Sequence, residues 1–208
     1  FDDQHIDMCL WLVWKGVRID EISFESDNWW DGTSAEKNTL LRLYISMVKL
    51  LIARGCISSL KILRLETLYE RPEPSEMRMP LFLMDDFLPI AKQFSHSLVT
   101  LGLQFESDRS DEDEENVERD CKGTIIHYVE AIERMPNLER LDFSIFCRFA
   151  GQIQLSSASL KFLSINSPIS YIMRPPKLPM LEGFRVATDL RRLKCLQNVL
   201  SILKACSE

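Results

Sequence analysis

The chain has 208 residues, 46% hydrophobic and 27% charged, proportions that exclude a collagen-like or wholly disordered polymer. The longest apolar-rich stretch, residues 40–53, is broken by Arg42, Ser46 and Lys49, so no segment has the roughly 18 apolar residues of a membrane-spanning helix. The net charge of −6 argues against a nucleic-acid partner. It is also concentrated: residues 106–120 hold nine acids and two bases, −7 in fifteen residues, which leaves +1 for the other 193. The charge pattern therefore reads as one acidic, self-repelling loop inserted in a near-neutral body.

In chain order, the first residue is Phe1, with no Met and no signal-peptide pattern, which reads as a piece of a longer chain. Residues 6–14 read as an amphipathic helix leading into a first strand. Trp11, Trp14, Trp29 and Trp30 flank that strand and are expected to seal the first structural unit, because the end of a repeat array needs an atypical cover. The turn carrying Trp29 and Trp30 is expected over residues 27–32. Thr33-Ser-Ala-Glu36 has the form of a capping box. It opens a helix with Leu40, Leu41, Leu43, Tyr44, Met47, Val48, Leu51 and Ile52 at helical period, stopped at Gly55. A second helix is expected over residues 87–96, capped by Asp85 or Asp86 with Pro89 in its first turn. A third is expected over residues 116–135, ended by Pro136, and a last over residues 188–206.

Between these helices a short phrase recurs: apolar, two variable residues, apolar, one variable, apolar. Its copies are Ile19-Asp-Glu-Ile22-Ser-Phe24, Leu60-Lys-Ile-Leu63-Arg-Leu65, Leu98-Val-Thr-Leu101-Gly-Leu103, Leu138-Glu-Arg-Leu141-Asp-Phe143, Leu160-Lys-Phe-Leu163-Ser-Ile165 and Leu181-Glu-Gly-Phe184-Arg-Val186. They start 41, 38, 40, 22 and 21 residues apart. In each, the fourth and sixth residues point to one side of a short strand. One such unit cannot bury that side alone, so the copies must stack in parallel. The long copies have room for a strand and a helix. The two short connections are expected to be extended or to hold a short turn.

The phrase and its spacing resemble leucine-rich repeats. Met135-Pro-Asn-Leu138-Glu-Arg-Leu141-Asp-Phe143, Ser156-Ser-Ala-Ser-Leu160-Lys-Phe-Leu163-Ser-Ile165 and Val199-Leu-Ser-Ile-Leu203-Lys-Ala-Cys206-Ser-Glu208 are similar to the repeat region of F-box proteins and to ribonuclease-inhibitor-like horseshoes. The resemblance implies a single α/β leucine-rich repeat solenoid over residues 1–208. It would hold about six irregular repeats, with a parallel sheet on the concave face and helices or irregular segments on the convex face. The Asn or Cys usual after the last strand leucine is absent, the positions being Asp27, Leu68, Glu106, Phe146, Pro168 and Asp189. A continuous asparagine ladder is therefore not expected.

No chemistry-bearing motif stands beside this pattern. His5, His96 and His127 share no metal-type spacing, and the chain lacks H-E-x-x-H, C-x-x-C, G-x-G-x-x-G, G-x-S-x-G and a Walker loop. No catalytic, cofactor or metal residue is nominated. The six cysteines are too sparse for a disulfide scaffold and read as reduced thiols of a cytoplasmic or nuclear protein. The concave face is the expected site, with Arg64, Glu66, Gln104, Arg140, Asp142, Ser164, Asn166 and Arg185 as partner-contacting residues. Phe162 is the one aromatic side chain on that face, and a mixed polar surface suits protein recognition better than base stacking. The resemblance implies a non-enzymatic substrate-binding region of an F-box-type ubiquitin ligase receptor, which would meet its F-box adaptor through a segment upstream of this chain. The rivals are a leucine-rich scaffold or immune-type sensor without a ubiquitin link, and a small α/β enzyme.

Overall fold

The computed structural model describes residues 3–24, 34–65, 81–105, 114–145, 154–166 and 177–187, with residues 200 and 204. In chain order the elements are α1 (Asp3–Lys15), β1 (Glu21–Phe24), α2 (Ser34–Ala53), β2 (Ile62–Leu65), α3 (Leu81–Gln93), β3 (Thr100–Phe105), α4 (Glu114–Ile132), β4 (Arg140–Ile145), β5 (Phe162–Asn166) and β6 (Gly183–Ala187). The fold is α/β. The six strands form one sheet in the order β1-β2-β3-β4-β5-β6, and every neighbouring pair is parallel.

The register follows the recurring phrase. Its fourth residues, Ile22, Leu63, Leu101, Leu141, Leu163 and Phe184, lie opposite one another across the sheet. The sixth, Phe24, Leu65, Leu103, Phe143, Ile165 and Val186, do the same. Leu63, Leu65, Leu101, Leu103 and Leu141 are fully buried, and so are the first residues of four copies, Leu60, Leu98, Leu138 and Leu160. Each such leucine stabilises the fold by about 1.5–3 kcal/mol relative to an exposed one.

The turns before the strands are equally periodic. The carbonyl of Asp20 accepts N–H bonds from Lys61 and Ile62, that of Lys61 from Val99 and Thr100, and that of Val99 from Glu139 and Arg140. Glu139 accepts from Lys161 and Phe162, and Lys161 from Glu182 and Gly183. Side chains one residue before the first leucine tie three of the turns to the preceding unit. Ser97 donates to the Leu60 carbonyl (2.8 Å), Asn137 to the His96 carbonyl (2.6 Å), and Ser159 to the Leu138 carbonyl (2.9 Å). A polar ladder thus exists, but ahead of the strands.

Two helices stop on glycine. Gly16 (φ 62°) and Gly55 (φ 77°) take the left-handed conformation, and the next residues reach back: Val17 N–H to Leu12 (3.1 Å) and Cys56 N–H to Leu51 (3.0 Å). This bond pattern satisfies carbonyls that the helix end leaves open. The expected stop at Gly55 is present, and Gly16 provides a second. Cys56 itself is buried and free; the side chains of the other five cysteines lie outside the described residues.

Several expectations are corrected. The helix expected over residues 87–96 begins at Leu81, so Pro89 lies inside it and Asp85 and Asp86 are not caps. Pro89 lies on the exposed side of α3. The two aspartates instead join neighbouring helices: Asp85 accepts the Thr124 hydroxyl of α4 (2.6 Å), and Asp86 pairs with Lys49 of α2 (2.7 Å). The acidic run is not a loop throughout, because residues 114–120 belong to α4, where acids near a helix N-terminus are favoured. Residues 106–113 lie outside the described residues. Trp11 and Trp14 do not seal the first unit: they are 51% and 75% exposed, with the Lys15 ammonium 4.3 Å from the Trp14 ring centre, and Val13 packs against the core instead. Trp29, Trp30, Thr33 and all of residues 188–206 except Leu200 and Lys204 lie outside the described residues.

In the last two connections the described residues include an extended bridge. Ser156 pairs with Lys177 in parallel, with Leu155 and Leu178 buried on either side. Among the described residues no helix is long and apolar enough to cross a membrane.

Candidate functional site

Successive strand side chains alternate between faces, so the residues between the apolar rows form the face turned away from the helices. Three rows cross it in register. The first runs Glu21, Ile62, Thr100, Arg140, Phe162, Gly183. The second runs Ser23, Arg64, Gly102, Asp142, Ser164, Arg185, and the third Gln104, Ser144, Asn166, Ala187.

This face is not uniformly open. β3 is buried on both sides, with Thr100 9% and Gln104 2% exposed. The expectation that Gln104 offers itself to a partner is therefore corrected. Arg64 lies on the far side of β3 and is half-buried; its Nε is buried with no hydrogen-bond partner among the described residues. Glu66 lies outside the described residues. The other five expected residues, Arg140, Asp142, Ser164, Asn166 and Arg185, come together on three adjacent strands, β4 to β6.

Within that patch Arg140 grips Asp142 with two bonds, Nε to Oδ2 at 2.8 Å and Nη2 to Oδ1 at 3.3 Å. A planar guanidinium suits such two-point contact. The carboxylate is 15% exposed and the guanidinium side chain 53%, so the pair presents chiefly its cationic half to solvent. Ser164 and Asn166 are half-buried, and Arg185 is exposed.

Phe162, absent from the expected contact set, sits at the centre. It is 46% exposed, and its ring lies across Gly183 on the neighbouring strand, where a Cβ would come within 2.6 Å of the ring. The sequence signal was an aromatic residue and a glycine at the same register position of consecutive copies; cross-strand packing of a ring over a glycine is a known pairing. Beside this patch, at the turns, Lys161 is bonded to Glu139 (2.8 Å). Its ammonium is held above the ordinary lysine value by that hydrogen bond, then by the charge of Glu139, with Glu182 adding to the effect and desolvation opposing it.

Among the described residues no group of three or more His, Cys, Asp or Glu side chains gathers in a metal-ligating arrangement. The assembled chemistry is an exposed aromatic ring flanked by two arginines and short polar side chains, which suits non-covalent contact with another protein. No family model, curated protein or solved structure matches the chain.

Proposed function

We propose that this chain is a non-enzymatic protein-recognition module, a leucine-rich repeat solenoid whose helix-free face is the concave, ligand-bearing one. One observation carries the reading: Phe162, 46% exposed, stands among Arg140, Asp142, Ser164 and Arg185 on three strands held in register by a continuous core. Interface centres are enriched in aromatic and arginine anchors ringed by polar groups. The buried, unpaired Cys56 fits a reducing compartment, cytoplasm or nucleus. Within this reading, the resemblance to F-box repeat regions makes a ubiquitin-ligase substrate receptor the leading identity.

The test is affinity capture with the chain beside its Phe162→Asp and Arg185→Glu variants, each verified as folded by circular dichroism. Proteins retained by the parent and lost on both variants are the expected result; identical profiles on all three would overturn the reading. The ubiquitin link is tested separately by co-purifying the complete gene product with the F-box adaptor, and failure to associate removes that part alone.

A further inference from the structure

A groove of about 540 Å³ runs along the turns that precede the strands, at right angles to them and off the face just described. Its walls include Lys61, Val99, Glu139, Ala158, Lys161 and Met180, so it extends from the turn before β2 to the turn before β6. Four inter-strand steps span about 19 Å, which an extended chain covers with about six residues. The backbone of this lane is already occupied. The carbonyls of Lys61, Val99, Glu139 and Lys161 each accept two N–H bonds from the next unit, and the Ser97, Asn137 and Ser159 side chains are spent on the turn ladder. A bound segment is therefore recognised by its side chains and not by strand addition.

The two ends of the lane differ in chemistry. Lys161 is held at 2.8 Å by Glu139. Lys61 has only a 3.4 Å contact to Asp20, with both side chains about 60% exposed, a pairing that contributes little and leaves its charge open to a competing anion. At the opposite end the ladder position is taken by Met180, which cannot donate a hydrogen bond and is 51% exposed. Its neighbour Ala158 adds apolar wall. One end carries a weakly paired cation, the other an exposed apolar side chain.

We infer that this rim groove is a second docking lane, for an extended peptide segment of a partner protein that carries an acidic side chain at the Lys61 end and an apolar one at the Met180 end. It is independent of the open face of β4 to β6.

The test is selection of a random heptapeptide display library on the whole immobilised chain. A fluorescein-labelled consensus peptide is then titrated by fluorescence polarisation against parent, Lys61→Glu, Met180→Asp and Phe162→Ala proteins. Enriched sequences are expected to pair Asp or Glu with Leu, Met or Phe about five residues away. Binding should weaken about tenfold in Lys61→Glu, the size of a lost charge contact turned repulsive, weaken also in Met180→Asp, fall with rising salt, and survive Phe162→Ala. The substituted side chains are exposed, and unchanged melting temperatures confirm that the fold is kept. No enrichment over blank support, a consensus without an acid, or full affinity in Lys61→Glu would overturn the inference. A peptide lost with Phe162→Ala but retained by Lys61→Glu would overturn it too, while leaving the open-face reading standing.

Discussion

Tyr128, between α3 and α4, should make the stability of the fold depend on pH in the alkaline range. Its ring is fully buried, edge-on to Phe105 with centroids 5.6 Å apart, and its hydroxyl donates to the Met84 carbonyl at 2.7 Å. Burial, and then the charge of Asp85, push its ionisation well above the usual 10.0. In Tyr128→Phe the ring packing stays and the bond goes. At neutral pH the variant should be less stable by about 1 kcal/mol, the net worth of one such bond. Above pH 10 the gap narrows and then reverses. The folded phenol stays protonated while the unfolded one ionises, so the raised value contributes stability that is intact below the unfolded pKa and lost as pH rises toward the folded one. One pH unit above the unfolded value the parent has lost about 1.4 kcal/mol through this group, and the variant nothing. The two stabilities should cross between about pH 10.5 and 11. Urea titrations followed by circular dichroism at a series of pH values measure this, and the difference between the proteins cancels the lysines and other tyrosines they share. A constant gap from neutral pH to about pH 11 would refute the account of Tyr128 as a phenol kept neutral by burial.

Three further outcomes are expected. Gly55→Ala adds a Cβ that meets nothing within 4 Å, so its cost is conformational alone, about 1–2 kcal/mol for the left-handed backbone; a thermal melt unchanged from the parent would count against the helix stop. Ser159→Ala removes bonds to the carbonyls of Met135 and Leu138 and should cost about 1–2 kcal/mol in urea unfolding, whereas a neutral result would mean that water replaces the ladder at no loss. Gly183→Ala places a methyl 2.6 Å from the Phe162 ring and should destabilise by about 1–3 kcal/mol; adding Phe162→Ala should recover most of that, and strict additivity of the two changes would show that the ring does not rest there.

The sheet was legible because strand register and phrase register are the same thing: every fourth and sixth residue of the six copies pairs with its counterpart. What failed to read was whatever depends on a neighbour distant in sequence. Pro89 looked like a helix opener, since proline favours the first turn, yet α3 begins eight residues earlier and holds Pro89 on its exposed side. Gln104 looked like a surface residue because it is polar and off the apolar row, but its burial is set by tertiary surroundings that a local pattern does not encode. The turn ladder was readable in principle: Ser97, Asn137 and Ser159 each stand immediately before the first leucine of a copy. In this chain the polar position lies before the strand and not after it, where the resemblance places its asparagine. The importance of Phe162 rests on Gly183 facing it across the sheet.

That pairing bears on where binding free energy would come from. The charges of the open patch are largely committed before a partner arrives: Asp142 holds Arg140 at two points, and at the rim Glu139 holds Lys161. A partner that recruits Arg140 must compete with a carboxylate already in place, so these charges favour selectivity and encounter rate over affinity. The ring has no such competitor. A phenylalanine buries about 150–250 Å² in full, and 46% of Phe162 remains exposed, so roughly 70–115 Å² is left to cover. At about 25 cal/mol per Å² this is worth about 2–3 kcal/mol, the size of a single interface hot spot. Truncating Phe162 should therefore weaken binding to the open face about 30- to 150-fold, and reversing Arg185 should cost the partners whose charge it matches.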